Sequence, residues 1–405
     1  MLLDLYRNEG IPLRETFGVP YPEYFLHPLA EYDALVAFAG IIDLTHWRTL
    51  QITGSDRSEF LNAMITNDVT ALEKNQGCHS MITTVKGKII SELFVICREN
   101  DHLVFVSQGD FDGTIATLEK HIIREDVSID DVSSSFGVLA VEGPKAGDIV
   151  QRLFETGPLP KMHLESVERD FEKFSTVVVK NSCTGEDGYH LLVPSEEIGR
   201  IRGYLIQAAR GSDGLPIGRV AWNIRRVEMG RPWYAVDFTD ENFPQETRLD
   251  DTVSYSKGCF RGQETLGRLH HRGHVNRLLA GLTFAANDLR DEIKKRIERI
   301  GELSTVSKEH TFRERARTDS TTLDLGAVFP HKSRLFLPEG SSDAVGRSAE
   351  ERSVGWITSV VYSPRLNKPL FLGYLGRKTA ETGDAVVLKT MEQPAKLTQI
   401  DLPLR

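Results

Sequence analysis

The chain lacks most of the features that name a function outright. Its four cysteines, Cys78, Cys97, Cys183 and Cys259, lie far apart and form no CxxC pair. That removes the ligand spacing of zinc and cluster sites, gives no disulfide framework, and fits a reducing compartment. There is no GxGxxG and no Walker A sequence, so neither nucleotide-binding fold is supported. His46, His270 and His271 have no Asp and Ser partners in catalytic order, which leaves a hydrolase triad unsupported. No stretch approaches the roughly 20 apolar residues of a membrane span. The opening text, MLLDLYRNEGIPLRE, carries Asp4 and Glu9 and no long apolar core, so it reads as neither a secretory signal nor a transit peptide. Positive charge is in deficit as well: 49 Lys and Arg stand against 58 Asp and Glu, a net charge of -9. That balance lacks the electrostatic footprint of a nucleic-acid binder. A soluble, cytoplasmic protein is expected, with no membrane and no nucleic-acid partner.

What is present is ordinary globular material. The 405 residues exceed one compact core and imply two or three domains, with 40% hydrophobic and 26% charged residues. Residues 1–35, with Pro12, Pro20, Pro22 and Pro28, read as an arm laid over the body. Residues 49–52 alternate as a strand ending at Gly54, and Ser55 is placed to cap a helix whose Phe60, Leu61, Met64 and Ile65 share a face. CHSMITTV and IISELFVIC predict a hairpin turned at Val85–Lys88, and a strand over 101–107 and a helix over 110–124 follow. GVLAVEGPKAGDIVQRLF repeats strand and helix, a second two-strand segment turns at Cys183–Gly188, and the next helix closes at Gly211. This is the arithmetic of split βαβ units. Residues 287–350 are highly charged, with Ile293, Ile297 and Ile300 at helical spacing and a basic run of Lys294, Lys295, Arg296 and Arg299. They read as a surface insertion, part helical and part disordered. The remaining C-terminal text predicts a small all-β domain.

Four clusters carry chemistry. The densest is YSKGCFRGQETLGRLHHRG, Tyr255 to Gly273. Lys257 and Arg261 flank Cys259, a setting that favours thiolate. Gln263 and Glu264 follow, and Gly258, Gly262 and Gly267 space the group. The bland alternative is a glycine-rich turn with an ordinary buried cysteine. Glu186 and Asp187, in the glycine-bounded TGEDG, could accept hydrogen bonds from an amine-bearing ligand or merely be solvated. Arg225, Arg226 and Glu228 could bind a ligand carboxylate or form an exposed ion pair. Ser91 and Glu92 are adjacent on a strand, so at most one faces a given pocket.

Taken in order, these segments resemble the glycine-cleavage T-protein superfamily. Gly40-Ile41-Ile42-Asp43-Leu44-Thr45-His46 is similar to its early G-x-x-D-L-S/T-H motif, and Gly54 to Val69, GSDRSEFLNAMITNDV, to its first helix. Val141-Glu142-Gly143-Pro144-Lys145-Ala146, TGEDG, RRVEMGRP and VGWITSVVYSPRLNKPLFLGYL follow as in that superfamily. Within it, KGCFRGQE resembles the motif of the YgfZ-type folate-binding proteins, whose mitochondrial counterparts assist iron–sulfur cluster assembly.

The resemblance implies an α+β, aminomethyltransferase-like folate-binding fold: ferredoxin-like units and a β-barrel around a folate channel. It implies an arm over 1–35, a folate-binding domain over 36–275, a barrel domain from 276–286 and 351–405, and the insertion over 287–350. It makes tetrahydrofolate or a one-carbon derivative the cofactor, with Glu186 and Arg226 contacting it. Lys257, Gly258, Cys259, Gly262, Gln263 and Glu264 match the branch motif, with Cys259 as the functional thiol. The T-protein's Asp-Asp pair is here Ser91-Glu92, so Glu92 or Ser91 would stand in for the acid of the transfer. The expected function is tetrahydrofolate binding in iron–sulfur cluster assembly or repair, with client or assembly proteins as partners and no resident metal. Folate-dependent aminomethyl or methyl transfer is the alternative. A non-catalytic adaptor docking through residues 287–350 is the third.

Overall fold

The computed structural model describes residues 2–16, 19–106, 111–154, 157–285, 332–338, 353–389 and 394–404. Two large open sheets, a two-stranded sheet of Leu13–Thr16 with Val19–Pro22 and a closed barrel make up the body. The five-stranded sheet runs Gly77–Thr83, Ile89–Cys97, His102–Val106, Arg48–Thr53, Ser128–Asp131. The six-stranded sheet runs Ser166–Phe171, Phe174–Val179, Gly188–Pro194, Phe136–Glu142, Gly40–Asp43, Leu215–Ile217. Helices cover the outer face of each sheet, and helices Pro28–Ala37 and Arg219–Glu228 share the central core with the inner faces. Arg57–Met64 and Phe111–Glu119 share a core with the first sheet, and Ala146–Leu153 and Ile198–Arg210 with the second. The opposite faces of both sheets meet the barrel in one central core.

That arrangement explains why the strands read as apolar runs. Successive side chains of a strand point to opposite faces. In Phe136–Glu142, Val138 and Ala140 enter the central core while Leu139 and Val141 pack under the helices. In His102–Val106, Leu103 and Phe105 face the centre, and Val104 and Val106 face the helices. Strands buried on both faces cannot alternate in polarity, because neither face meets water.

Several local expectations are refined. Phe60, Leu61 and Met64 are buried on helix Arg57–Met64, as their spacing predicts. Ser55 does not cap that helix. It lies one residue too early, and its hydroxyl donates to Asp126 instead (2.9 Å). Gly211 follows its helix in the right-handed region (φ -73°), not as a left-handed cap. The first 35 residues hold core elements as well as extended chain: helix Leu2–Asn8 buries Leu2 and Tyr6, and helix Pro28–Ala37 buries Leu29, Tyr32 and Leu35. Glu31 ties this segment down by accepting from the backbone N–H groups of Phe25, Leu26 and Gly218, and its burial pushes its carboxyl up to about 7. The barrel closes through Arg277–Phe284, Lys368–Gly376, Ser353–Ser363, Arg334–Phe336, Val386–Lys389 and Pro394–Ile400. Its strand Arg334–Phe336 falls inside the stretch expected to be insertion. At three residues with one buried leucine, Leu335, it is too short to show a period in sequence. Ile293, Ile297, Ile300 and the basic run Lys294 to Arg299 lie outside the described residues.

One buried ion pair joins the barrel to the rest. Arg226, on helix Arg219–Glu228, is 2% exposed. It donates to Asp237 (2.7 Å), to the Arg231 carbonyl (3.0 Å), to Asn223 (2.8 Å) and to Ser359 of the barrel (2.9 Å). Asp237 in turn accepts from the Thr358 and Ser359 hydroxyls of the barrel (2.6 Å each) and from the Trp233 backbone N–H (2.9 Å). Removing one partner of such a pair leaves a buried charge uncompensated. Asp237→Ala is therefore expected to destabilise the protein by about 3–5 kcal/mol, read as a lower urea midpoint. A change under about 0.5 kcal/mol, the range of exposed pairs, would contradict this.

Candidate functional site

Between the two sheets and helix Arg219–Glu228 lies a narrow slot, a cavity of about 60 Å³. Its walls are built by strand geometry. Glu92 and Phe94 share one face of Ile89–Cys97, and His79 stands opposite Phe94 on the neighbouring strand. The His79 ring stacks on Phe94 (4.4 Å, 8°), and Phe94 stacks on Trp47 (5.1 Å, 18°). Trp222 and Arg226 reach the slot from one helix face, four residues apart. Trp233, Arg231, His163, Leu249 and Cys183 complete it. The Trp222 indole N–H is buried without a hydrogen-bond partner.

Strand alternation also decides between Ser91 and Glu92. Ser91 is buried on the other face, where its hydroxyl accepts from Thr114 (2.8 Å). Glu92 faces the slot and accepts from His79 Nε2 (2.8 Å). The other ring nitrogen, Nδ1, donates to Asp251 (3.3 Å). Both partners are carboxylates, so both ring nitrogens carry protons. Burial opposes the charged ring, but the bonds to Asp251 and Glu92 outweigh it and push His79 up to about 9. Burial likewise opposes charge on Asp251, and His79 overrides it, holding that carboxyl down at about 2. Asp251 lines a wider neighbouring cavity of about 470 Å³ with Arg248 and Asp250, and the two cavities share Arg231 and Leu249.

The other expected site residues separate from this slot. Glu186 lines neither of the two cavities, and its carboxylate is held by Arg225 (2.7 Å) rather than approaching Arg226. Arg225 also donates to buried Glu228 (3.0 Å), which accepts from the Tyr32 and Ser363 hydroxyls. The pair expected at the surface is thus interior. Cys259 is exposed and lines a different cavity, of about 620 Å³, with Asp56, Glu59, His121 and Arg261. The Lys257 ammonium does not serve the thiol. It donates to the carbonyls of Asn62, Ile65 and Asn67 at the end of helix Arg57–Met64 (2.6, 3.0 and 2.5 Å). Burial lowers it to about 8. Gly262 is left-handed (φ +86°), and a side chain there would meet Thr83 and the Thr84 carbonyl, whereas Gly258 has open space. Gln263 and Glu264 open the helix Gln263–His271. Glu264 pairs with Arg268 on the surface, and Gln263 reaches back to the Gly258 carbonyl (3.4 Å). Much of the motif therefore fixes a loop.

Glu142, Cys183 and His190 bring three ligand-type atoms within 4.8 Å. Hydrogen bonding argues against a metal there. The Asn181 side-chain oxygen Oδ1 accepts from the Ser182 N–H, so its side-chain amide N–H faces His190 Nδ1 and leaves Nε2 as the protonated nitrogen, toward Glu142. Glu142 is occupied by the Ser182 and Thr184 hydroxyls and the Cys183 and Thr184 N–H groups, and it holds the TGEDG loop closed. His79, Asp251, Trp47 and Phe94 escaped sequence reasoning. No local signal marks them, because their partners come from strands and loops up to 172 residues away.

Two families match the chain: the GCVT N-terminal domain over residues 2–257 and the glycine cleavage T-protein C-terminal barrel domain over 329–404. The aminomethyltransferase of Bacillus subtilis (strain 168) is 26% identical over 345 residues, 83% of this chain and 95% of that one. The aminomethyltransferase of Desulfitobacterium hafniense (strain DSM 10664 / DCB-2) is 25% identical over 95% of this chain and 92% of its own. The crystal structure of the glycine cleavage system aminomethyltransferase T from Bartonella henselae shares the fold, with a TM-score of 0.78 at 18% identity, covering 99% of this chain and 96% of that one. No helix among the described residues is long and apolar enough to cross a membrane.

The His79 pair carries a pH signature. Its folded pKa lies above the free value of about 6.5, so its stabilisation is complete below about pH 6.5 and is lost as pH rises through about 9. A loss on the order of 3 kcal/mol over that window is expected from thermal unfolding, flattened in His79→Gln. A wild-type midpoint constant across the window would contradict it.

Proposed function

Because the chain belongs to the glycine-cleavage T-protein superfamily, we propose that it binds tetrahydrofolate in the slot and performs folate-dependent one-carbon transfer of the aminomethyl or methyl class. One observation carries this reading. Of the pair Ser91 and Glu92, the residue that keeps a carboxylate is the one that faces the slot. The Ser91 departure from the family's acid pair falls on the far side of the strand, where it touches Thr114 and not the cavity.

The residues present suit the group. Stacked rings of Trp47, Phe94 and His79 form one wall for a flat heterocycle, and the unpartnered Trp222 N–H supplies a donor. Glu92 offers an acceptor for ring N–H groups. Arg231 and Arg248, in the wider cavity, suit the carboxylates of a tail. When bound, tetrahydrofolate supplies a nucleophilic ring nitrogen that takes up the carbon. Glu92 orients the ligand and holds or releases a proton at its own Oε atoms. The aromatic walls exclude water, which strengthens each of these interactions. Arg226 borders the slot with four of its five N–H groups committed, so it shapes the wall and keeps one Nη2 N–H for the ligand. Glu186 is held by Arg225 away from the slot.

A second reading belongs to Cys259. Among the described residues it is the exposed thiol, beside its own cavity and apart from the slot. Together with KGCFRGQE this supports membership of the YgfZ-type branch and assistance to iron–sulfur assembly, with folate at the slot and the thiol acting on a client.

Titrating wild type with tetrahydrofolate is expected to quench tryptophan fluorescence. Glu92→Gln should weaken binding at least tenfold, about 1.4 kcal/mol, and Glu186→Gln should weaken it less. No quenching and no heat in wild type would overturn the folate reading. Transfer is checked with a panel of aminomethyl and methyl donors, and no turnover with any of them would set it aside. For the second reading, Cys259→Ala should fail to restore iron–sulfur enzyme activity in a deletion strain; full restoration removes it.

A further inference from the structure

The proposed transfer uses Glu92 alone, yet Glu92 is the inner end of a three-residue chain. His79 bridges Glu92 (2.8 Å) and Asp251 (3.3 Å), and the Asp251 side chain is 49% exposed on the wall of the wider cavity. The chain is built to hold its shape. The imidazole plane is set by stacking on Phe94. The Asn67 side-chain amide donates to both the His79 and Asp251 carbonyls (2.8 and 2.7 Å), which ties the strand to the Asp251 loop. We propose that Glu92, His79 and Asp251 form one acid–base unit. In it the His79 imidazolium lends a proton to the slot through Glu92 and takes it back, while Asp251 is the positioning residue that keeps the ring charged.

This inference rests on the one-carbon reading of the slot. The balance is simple. Transfer from an amine donor to an accepting nitrogen requires one proton given to the leaving amine and one removed from the accepting nitrogen. The proton on Nε2 moves to a Glu92 oxygen, and that carboxylic acid delivers it into the slot. The carboxylate so formed removes the second proton, which returns to Nε2. Nδ1–H stays on Asp251 throughout, no net proton crosses the protein, and no ring flip is needed. Such acid–base help is worth roughly 100- to 10,000-fold in rate. The other ionisable groups facing the chain are His163, which borders the slot and is lowered by burial, Arg226 on the slot wall, Arg231 beside Asp251, Arg248 and Asp250 along the wider cavity, and Cys183, whose thiol burial and the nearby carboxylates Glu142 and Glu92 push up.

The test uses the full chain with nitrogen-15 histidine and ring-nitrogen NMR against pH. The His79 resonance should keep imidazolium shifts past pH 8, with a midpoint near 9. Asp251→Asn should lower that midpoint by about two pH units, and Asp251→Glu should restore it. This readout needs no turnover, so it stands or falls separately from the one-carbon reading. A wild-type midpoint near the free value of about 6.5, or one unmoved by Asp251→Asn, overturns the proposal. Where a donor turns over, Asp251→Asn should cut kcat at least tenfold at pH 8 and less at pH 6, with KM within about threefold. An equal loss at both pH values marks a merely structural residue and also overturns it. If no donor turns over while the NMR result holds, the one-carbon reading fails and the coupled chain remains.

Discussion

Arg226 and Asp237 are buried together where a helix, a loop and the barrel meet, and the architecture depends on that pairing. A lone guanidinium at 2% exposure would be expelled or would drag water inward. Here each guanidinium nitrogen finds an acceptor, and the acceptors come from three places: the helix itself, the Arg231–Asp237 loop and barrel strand Ser353–Ser363. The pair therefore does more than satisfy itself. It sets the barrel against the inner faces of the two sheets, and it holds Trp233 through its backbone N–H. The slot inherits its wall from this arrangement, since Trp222, Arg226 and Trp233 are all wall residues. A second interior network, Glu186–Arg225–Glu228 with Tyr32 and Ser363, repeats the device one residue earlier on the same helix. Consecutive arginines thus pair with three acids, Arg225 with Glu186 and Glu228 and Arg226 with Asp237.

Two-sided burial of the strands has a chemical consequence. In a sheet with helices on one face and a closed centre on the other, any polar side chain must find partners in the interior. Ser91 finds Thr114 under the helices, and Glu92 finds His79 in the centre. Glu142 collects several donors and so closes the TGEDG loop. Of these carboxylates, Glu92 combines a wall position in the slot with a link to a half-exposed acid. That combination, rather than carboxylate content, is why Glu92 is the group proposed to react.

The Lys257–Glu264 loop divides into structure and surface. Lys257 caps a helix end, Gly262 allows a close approach to Thr83 and Thr84, and Arg261 lends its backbone N–H to the Ala63 carbonyl and its own carbonyl to the Thr83 hydroxyl. These contacts present Cys259 outward, away from the slot. A thiol displayed in this way is open to whatever arrives from outside, while the slot encloses what enters it. The exposed thiol and the slot are accordingly separate places on one chain.

Much was legible in the residues alone. Ordered motifs from Gly40 to the C-terminal barrel identify the superfamily and its α+β architecture, and those motifs are local strings that survive reading in one dimension. The helix face of Phe60, Leu61 and Met64 and the hairpin around Val85 were legible for the same reason. Adjacency on a strand also limited Ser91 and Glu92 to one pocket-facing residue. Which of the two it is depends on register and on what covers each face, and only the packed sheet settles that. The partners of Arg225 and Arg226, the helix-capping role of Lys257, the barrel strand Arg334–Phe336 and the Glu92–His79–Asp251 chain were not legible. Each joins residues distant in the chain, and for each the deciding quantity is burial. Side-chain identity is local, but protonation, pairing and access to a cavity belong to the folded neighbourhood.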